Sequence, residues 1–132
     1  MIYYTHDISQ CDICEGEEGM NEKLLKSYLP MSETGFYILL SLNEPRHGYG
    51  IILHVKEITD GRIILGAGTI YGTLTKFEKD SLIEPAGEED RRKLYRITEK
   101  GKWLLEQEMG RIDEMYVNGH KVLGGFNHDQ DI

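Results

Sequence analysis

The sequence predicts an α+β fold that is mainly α-helical. Three observations carry that prediction: five stretches with apolar residues at helical spacing, one pair of short β-prone runs joined by a polar turn, and a length of 132 residues. That length suits one compact domain with a core of its own. Hydrophobic residues at 39% and charged residues at 29% give the balance of a folded chain, not of a collagen-like or disordered one.

Residues 1–19 have no sustained periodicity and end in Glu15-Gly-Glu-Glu-Gly19, as expected of an acidic mobile tail. Met20, Leu24, Leu25 and Tyr28 then recur at helical spacing, and Pro30 closes a short leading helix. Ser32 is a plain N-cap, since Gly35 and not Glu stands three residues on, and Phe36-Tyr-Ile-Leu-Leu-Ser-Leu42 makes a largely buried helix. After the turn Asn43-Glu-Pro-Arg-His-Gly48, residues Tyr49, Ile52, Leu53 and Ile58 share a face of the next helix, which Asp60-Gly61 stops. Arg62 to Leu65 reads as a short strand.

Gly66-Ala-Gly68-Thr69 opens a further helix to about Lys79, buried through Ile70, Leu74 and Phe77. Its other face carries Thr69, Gly72, Thr73, Lys76 and Lys79, which are small or basic. Leu82-Ile83-Glu84 and Lys93 to Ile97 read as two strands of a hairpin, with Pro85 to Arg92 as its exposed tip. Thr98 caps a last helix through about Tyr116, with Leu105, Met109, Ile112 and Tyr116 in one apolar stripe that Trp103 and Leu104 widen. Helix, helix, short strand, helix, hairpin and helix is the order of a winged helix-turn-helix, here with an additional N-terminal helix and a C-terminal dimerisation helix. The expected organisation is a tail over residues 1–19, the winged helix with its leading helix over 20–97, a dimerisation helix over 98–118 and a flexible end over 119–132.

Net charge is -8, which taken whole argues against a polyanionic partner. Its distribution reverses the argument. Residues 1–22 hold six acidic side chains and no Lys or Arg, whereas residues 62–102 hold nine basic against seven acidic. A nearly neutral body with a basic middle is compatible with duplex DNA. The longest apolar run, Phe36 to Leu40, is five residues, against about 20 for a membrane span. The acidic amino end lacks the layout of a secretion signal, so a cytoplasmic protein without membrane partners is expected.

Several motifs occur in order over residues 32–105: His47-Gly48-Tyr49-Gly50-Ile51, Gly68-Thr-Ile-Tyr71-Gly-Thr-Leu74, Phe77-Glu-Lys79, Leu82-Ile83, and Arg92-Lys-Leu-Tyr95-Arg-Ile-Thr98-Glu-Lys-Gly101. Together they resemble the PadR family of bacterial transcriptional regulators, in its compact branch with a single short C-terminal dimerisation helix. The resemblance implies a homodimeric repressor on a two-fold site in double-stranded DNA, released when a small-molecule effector binds near the dimer helices.

The DNA-contacting residues expected are Thr69, Tyr71, Gly72, Thr75, Lys76 and Lys79 on the helix and Arg91, Arg92 and Lys93 on the hairpin. A helix opening with Gly68 and Thr69 offers backbone N–H groups to phosphate, and Gly72 permits close approach. Tyr71 reads either as a direct DNA contact or as a partly buried spacer; Thr75 and Lys76 would be an ordinary solvated face but for their family position. The three hairpin cations are read as phosphate contacts. The expected dimer interface is Leu24, Leu25, Tyr28, Trp103, Leu105, Met109, Ile112 and Tyr116, whose apolar surface exceeds what one small core covers. Trp103 reads as core or interface, or as the wall of an effector pocket.

Competing chemistry is thin. Cys11-Asp-Ile-Cys14 with His6 upstream is a zinc-like or thiol-switch spacing without a second ligand pair, so no metal and no cofactor is expected. No nucleophile elbow or phosphate loop follows a strand, and Gly66-Ala-Gly68 lacks the βαβ setting of a dinucleotide site, so no enzyme is expected. Two alternatives remain: a winged helix that binds protein and not DNA, or a metal- or thiol-responsive regulator that uses Cys11 and Cys14.

Overall fold

The computed structural model describes residues 15–124. Five helices and one hairpin follow in order: α1 (Glu15–Tyr28), α2 (Glu33–Ser41), α3 (Gly48–Ile58), α4 (Ala67–Lys79), β1 (Ile83–Glu89), β2 (Arg92–Ile97) and α5 (Glu99–Leu123). The described residues fall into two compact units, Pro30–Leu105 and the pairing of 15–29 with 106–124. No described helix is long and apolar enough to cross a membrane.

Pro30–Leu105 is the winged helix. Ser32 caps α2 as its sequence suggests, the hydroxyl oxygen accepting the Gly35 N–H at 3.0 Å. Thr98 does the same for α5, accepting the Gly101 N–H at 3.1 Å while donating to the Ser81 carbonyl at 2.7 Å. Helix α3 is capped by an imidazole: His47 Nδ1 accepts the Gly50 N–H at 3.0 Å. Asp60 and Gly61, both at positive φ, stop α3, and the Gly61 N–H reaches back to the Lys56 carbonyl at 2.8 Å.

The buried face of α3 is Gly48, Ile51 and Val55, not the expected Tyr49, Leu53 and Ile58, which stand exposed. This helix is apolar around most of its circumference, so two stripes fit helical spacing and only packing selects between them. A second correction concerns Arg62 to Leu65, which forms no strand. The free edge of β2 is met instead by the turn before α3. Arg46 and Tyr95 exchange two backbone hydrogen bonds at 3.0 and 2.9 Å, and the Ile97 N–H donates to the Leu42 carbonyl at 2.8 Å.

The hairpin is longer than its apolar residues indicate. Its antiparallel register runs from Ile83 opposite Ile97 to Glu89 opposite Arg92, with an irregularity between Pro85 and Glu88 where Gly87 takes φ 101°. The turn is therefore Asp90-Arg91 alone, with φ of 51° and 66°. Left-handed values at both central residues are what a two-residue turn needs to match strand twist. The core below joins Ile38, Leu39, Leu42, Ile51, Ile70, Leu74, Leu82 and Leu104, all essentially inaccessible.

In the other unit, α1 begins at Glu15, inside the stretch expected to be tail. Acidic residues in a first helical turn face the positive end of the helix dipole, a favourable placement that apolar periodicity does not register. Helix α5 runs to Leu123, past the expected end near Tyr116. No proline interrupts it, Gly119 costs only about 1 kcal/mol in a helix interior, and Gly124 at φ 68° terminates it, donating to the His120 carbonyl at 2.8 Å. Glu108 is buried and gripped by the Arg111 guanidinium through two 2.7 Å bonds.

Candidate nucleic-acid interface

Helix α4 is buried through Ile70, Leu74 and Phe77, so its remaining circumference faces solvent. Thirteen residues make it about 20 Å long, enough to lie in a major groove. Of the expected contact residues, Thr69, Tyr71, Gly72, Thr75, Lys76 and Lys79 are all exposed. No side chain caps the amino end, where Gly66, Ala67, Gly68 and Thr69 are all exposed. The Thr75 hydroxyl donates to the Tyr71 carbonyl at 2.9 Å, which leaves its lone pairs to accept from a ligand. Lys76 lies 4.0 Å from Asp80 on the following turn.

Tyr71 has a second relationship. Its ring lies against Gly48: a Cβ there would come within 2.9 Å of the phenol oxygen and 3.0 Å of two ring carbons. The glycine of the His47-Gly48-Tyr49 turn thus makes room for the tyrosine of α4, while the ring itself remains 57% exposed.

The three hairpin cations part company. Arg91 occupies the turn, whereas Arg92 and Lys93 begin β2. The Arg92 guanidinium stands 5.8 Å from the centre of the Tyr49 ring, with Nη1 3.4 Å from His47 Nε2. Lys93 turns toward Glu78 of α4 at 3.7 Å and over the Tyr95 ring at 5.2 Å, so a carboxylate offsets part of its charge. His47 and Tyr49, expected in a turn and on a core face, stand beside Arg92, the imidazole half-buried and the phenol exposed. The signal that could have found them was present in the motif itself: an imidazole and a phenol either side of a glycine.

Glu33, Arg62 and His54 have displaced titrations, Arg62 being raised by its hydrogen bonds to Glu33. Arg62 grips the Glu33 carboxylate through bonds of 2.6 and 3.2 Å and holds it below the usual carboxylate range. Burial lowers His54, and Arg46 adds to the effect. The His54 Nδ1 lies 2.8 Å from the Ser41 hydroxyl, which itself donates to the Tyr37 carbonyl, so the ring nitrogen is the donor in that pair. His54, Arg46, Leu53, Lys56 and Glu57 line an open depression of about 640 Å³.

Of the expected interface residues, Leu24, Leu25, Tyr28 and Leu105 are buried within the single chain, and Trp103 is half-buried. Met109, Ile112 and Tyr116 are 54%, 41% and 55% exposed, and Met115 and Val117 beside them are also open. His6, Cys11 and Cys14 lie outside the described residues. Among the described residues, no three His, Cys, Asp or Glu side chains are grouped to hold a metal.

Three helices, a wing and an exposed polar helix face define a winged-helix protein. Residues 38–107 match the transcriptional regulator PadR-like family, more than half of the chain, and the chain belongs to that family. This places it among transcription regulators and not among enzymes. The transcriptional regulator YqjI of Escherichia coli is 30% identical over 105 residues, 79% of this chain and 50% of that protein. A transcriptional regulator from Clostridium thermocellum is similar in structure, with a TM-score of 0.55 and 27% identity over 79% of this chain and 94% of its own. So is a PadR-like transcription factor from Bacteroides fragilis, with a TM-score of 0.55 and 28% identity over 67% and 86%. The chain spans half or less of the length of the curated relatives it matches.

Proposed function

We propose that this regulator is a sequence-specific DNA-binding protein of the cytoplasm, acting as a homodimeric repressor that a small-molecule effector releases. The observation that carries the reading is the exposed, small and basic face of α4 beside a hairpin whose turn presents Arg91. In this reading α4 enters the major groove with Thr69, Tyr71, Gly72, Thr75, Lys76 and Lys79 toward the DNA, and Arg91, Arg92 and Lys93 meet phosphates. Base contacts then come from α4 and orientation from the hairpin.

A single module of this kind buries about 600–1,000 Å² on DNA, too little for strong discrimination, which favours two copies on a two-fold site. Met109, Ile112 and Tyr116, spaced three and four residues apart on α5, offer the second copy an apolar stripe. Trp103, half-buried on the same helix, is the residue through which an effector would be sought.

The test is the salt dependence of binding to the regulator's own promoter DNA. Wild-type protein should be retained at low salt, and replacing Arg91, Arg92 and Lys93 by Ala should weaken binding to all sequences and flatten the log–log salt slope by about two to three. An unchanged slope removes the hairpin from the interface; no retention of wild-type protein even at low salt favours a protein-binding winged helix. Sedimentation that gives a monomer at micromolar concentration would refute the dimer.

A further inference from the structure

The contact between His47 and Arg92 has a chemistry that neither residue explains alone. His47 Nδ1 accepts the Gly50 N–H at 3.0 Å, so that nitrogen carries no proton, and the neutral ring must carry its proton on Nε2. Yet Nε2 lies only 3.4 Å from Arg92 Nη1, which is also a donor. With the proton on Nε2, two N–H donors face one another across that distance. The imidazole is fixed by its cap bond, and its edge rests 3.5 Å from where a Cβ on Gly50 would stand. The guanidinium, exposed to solvent, stands 5.8 Å from the centre of the Tyr49 ring.

Facing donors are the arrangement that an anionic oxygen resolves, because one acceptor with several lone pairs can take both. Resting on the reading that this surface meets DNA, we infer that His47 and Arg92 together bind a single phosphodiester oxygen of the duplex, with His47 in its Nε2–H form. The site joins the turn before α3 to the start of β2, so it sets the hairpin and the helix-turn-helix on the same strand of backbone. It adds a donor, His47, to the contact set, and makes Arg92 one half of a pair, not an independent surface cation. Tyr49 is the positioning residue, its ring supporting the guanidinium.

The experiment is a double-mutant cycle on DNA affinity with His47→Asn and Arg92→Ala. Asparagine is a good N-cap and keeps the Gly50 bond, but it is too short to place a donor where Nε2 stands. Each single variant should lose about tenfold in affinity, as expected for a hydrogen bond to a charged group, and the double variant should lose much less than the product of the two. Losses that multiply, or a His47→Asn variant that binds as wild type does, would overturn the shared phosphate. Failure of wild-type protein to bind DNA would instead refute the functional reading beneath it.

Two spectroscopic arms keep the inference falsifiable if a variant misfolds. Nitrogen-15 spectra of wild-type protein at neutral pH should show His47 as the Nε2–H tautomer, and the Nδ1–H form would overturn the inference. Duplex DNA should move the His47 ring signals at its binding concentration, whereas inorganic phosphate should need far more; saturation by free phosphate below the millimolar range would make this a small-anion site and not a DNA contact.

Discussion

Gly101→Ala tests how the hairpin is attached to α5. A methyl at this position would collide with the carbonyl oxygen of Leu82 and sit 2.7 Å from Ile97 Cγ1. The carbonyl cannot retreat freely, since it accepts the Thr98 N–H at 3.0 Å and belongs to a wholly buried residue. Overpacking costs about 1–3 kcal/mol where neighbours are able to shift, and a backbone atom held in this way puts the cost at about 3 kcal/mol. Alanine recovers at most about 1 kcal/mol of helix propensity. The net expectation is about 2 kcal/mol of lost stability, a fall in thermal midpoint of roughly 8 °C for a chain of this size. Urea unfolding followed by far-UV circular dichroism, at one protein concentration because assembly shifts apparent stability, would read it as a lower midpoint with an unchanged slope. A midpoint equal to or above that of wild type would show that α5 does not approach Leu82 in this way.

Gly72→Ala should do the opposite to stability, because no atom lies within 4 Å of the added methyl and α4 gains about 1 kcal/mol of propensity, while DNA affinity falls if the helix approaches the groove closely; a destabilised variant with undiminished binding would refute both halves. Arg91→Gly should also stabilise the fold, by about 1 kcal/mol in the same unfolding assay, because an L-residue in the left-handed region is strained where glycine is not. Its DNA salt slope should flatten by about one, and a slope equal to that of wild type would remove Arg91 from the phosphate contacts. Glu33 is held below its ordinary range when folded, so the Arg62 bridge contributes in full above the unfolded carboxylate range and is lost as pH falls through the lower folded value. Carboxyl-carbon NMR should find Glu33 titrating below free glutamate in wild type and returning toward it in Arg62→Ala; equal values in both would dismiss the bridge in solution.

Local rules read the caps and breaks well. Ser32, Thr98 and Asp60-Gly61 act where their side chains or backbone freedom allow, because capping is an interaction over three or four residues and needs no partner elsewhere. The buried stripe of α4 was equally plain, since Ile70, Leu74 and Phe77 are the only large aliphatic or aromatic choices for a core face apart from Tyr71. Periodicity gave no such choice on α3, where two apolar stripes compete and the core takes the one containing Gly48. It also missed the extension of the hairpin through Glu88 and Glu89, because backbone pairing there is sustained by a two-residue left-handed turn and not by apolar alternation.

By itself, then, the amino-acid order determined the five helices and the hairpin in their order, the caps at Ser32 and Thr98, the division between acidic amino end and basic middle, and the family motifs. Those properties are local or compositional, and each is carried by residues close together in the chain. Tertiary structure decided what residues far apart do to one another. It set Gly48 beneath Tyr71, Lys93 against Glu78, Arg46 on the edge of β2 and Arg92 before His47, across sequence separations from 15 to 49 residues. Such pairings depend on how helices and hairpin pack around one core, a balance of burial and backbone pairing that no single stretch of sequence encodes.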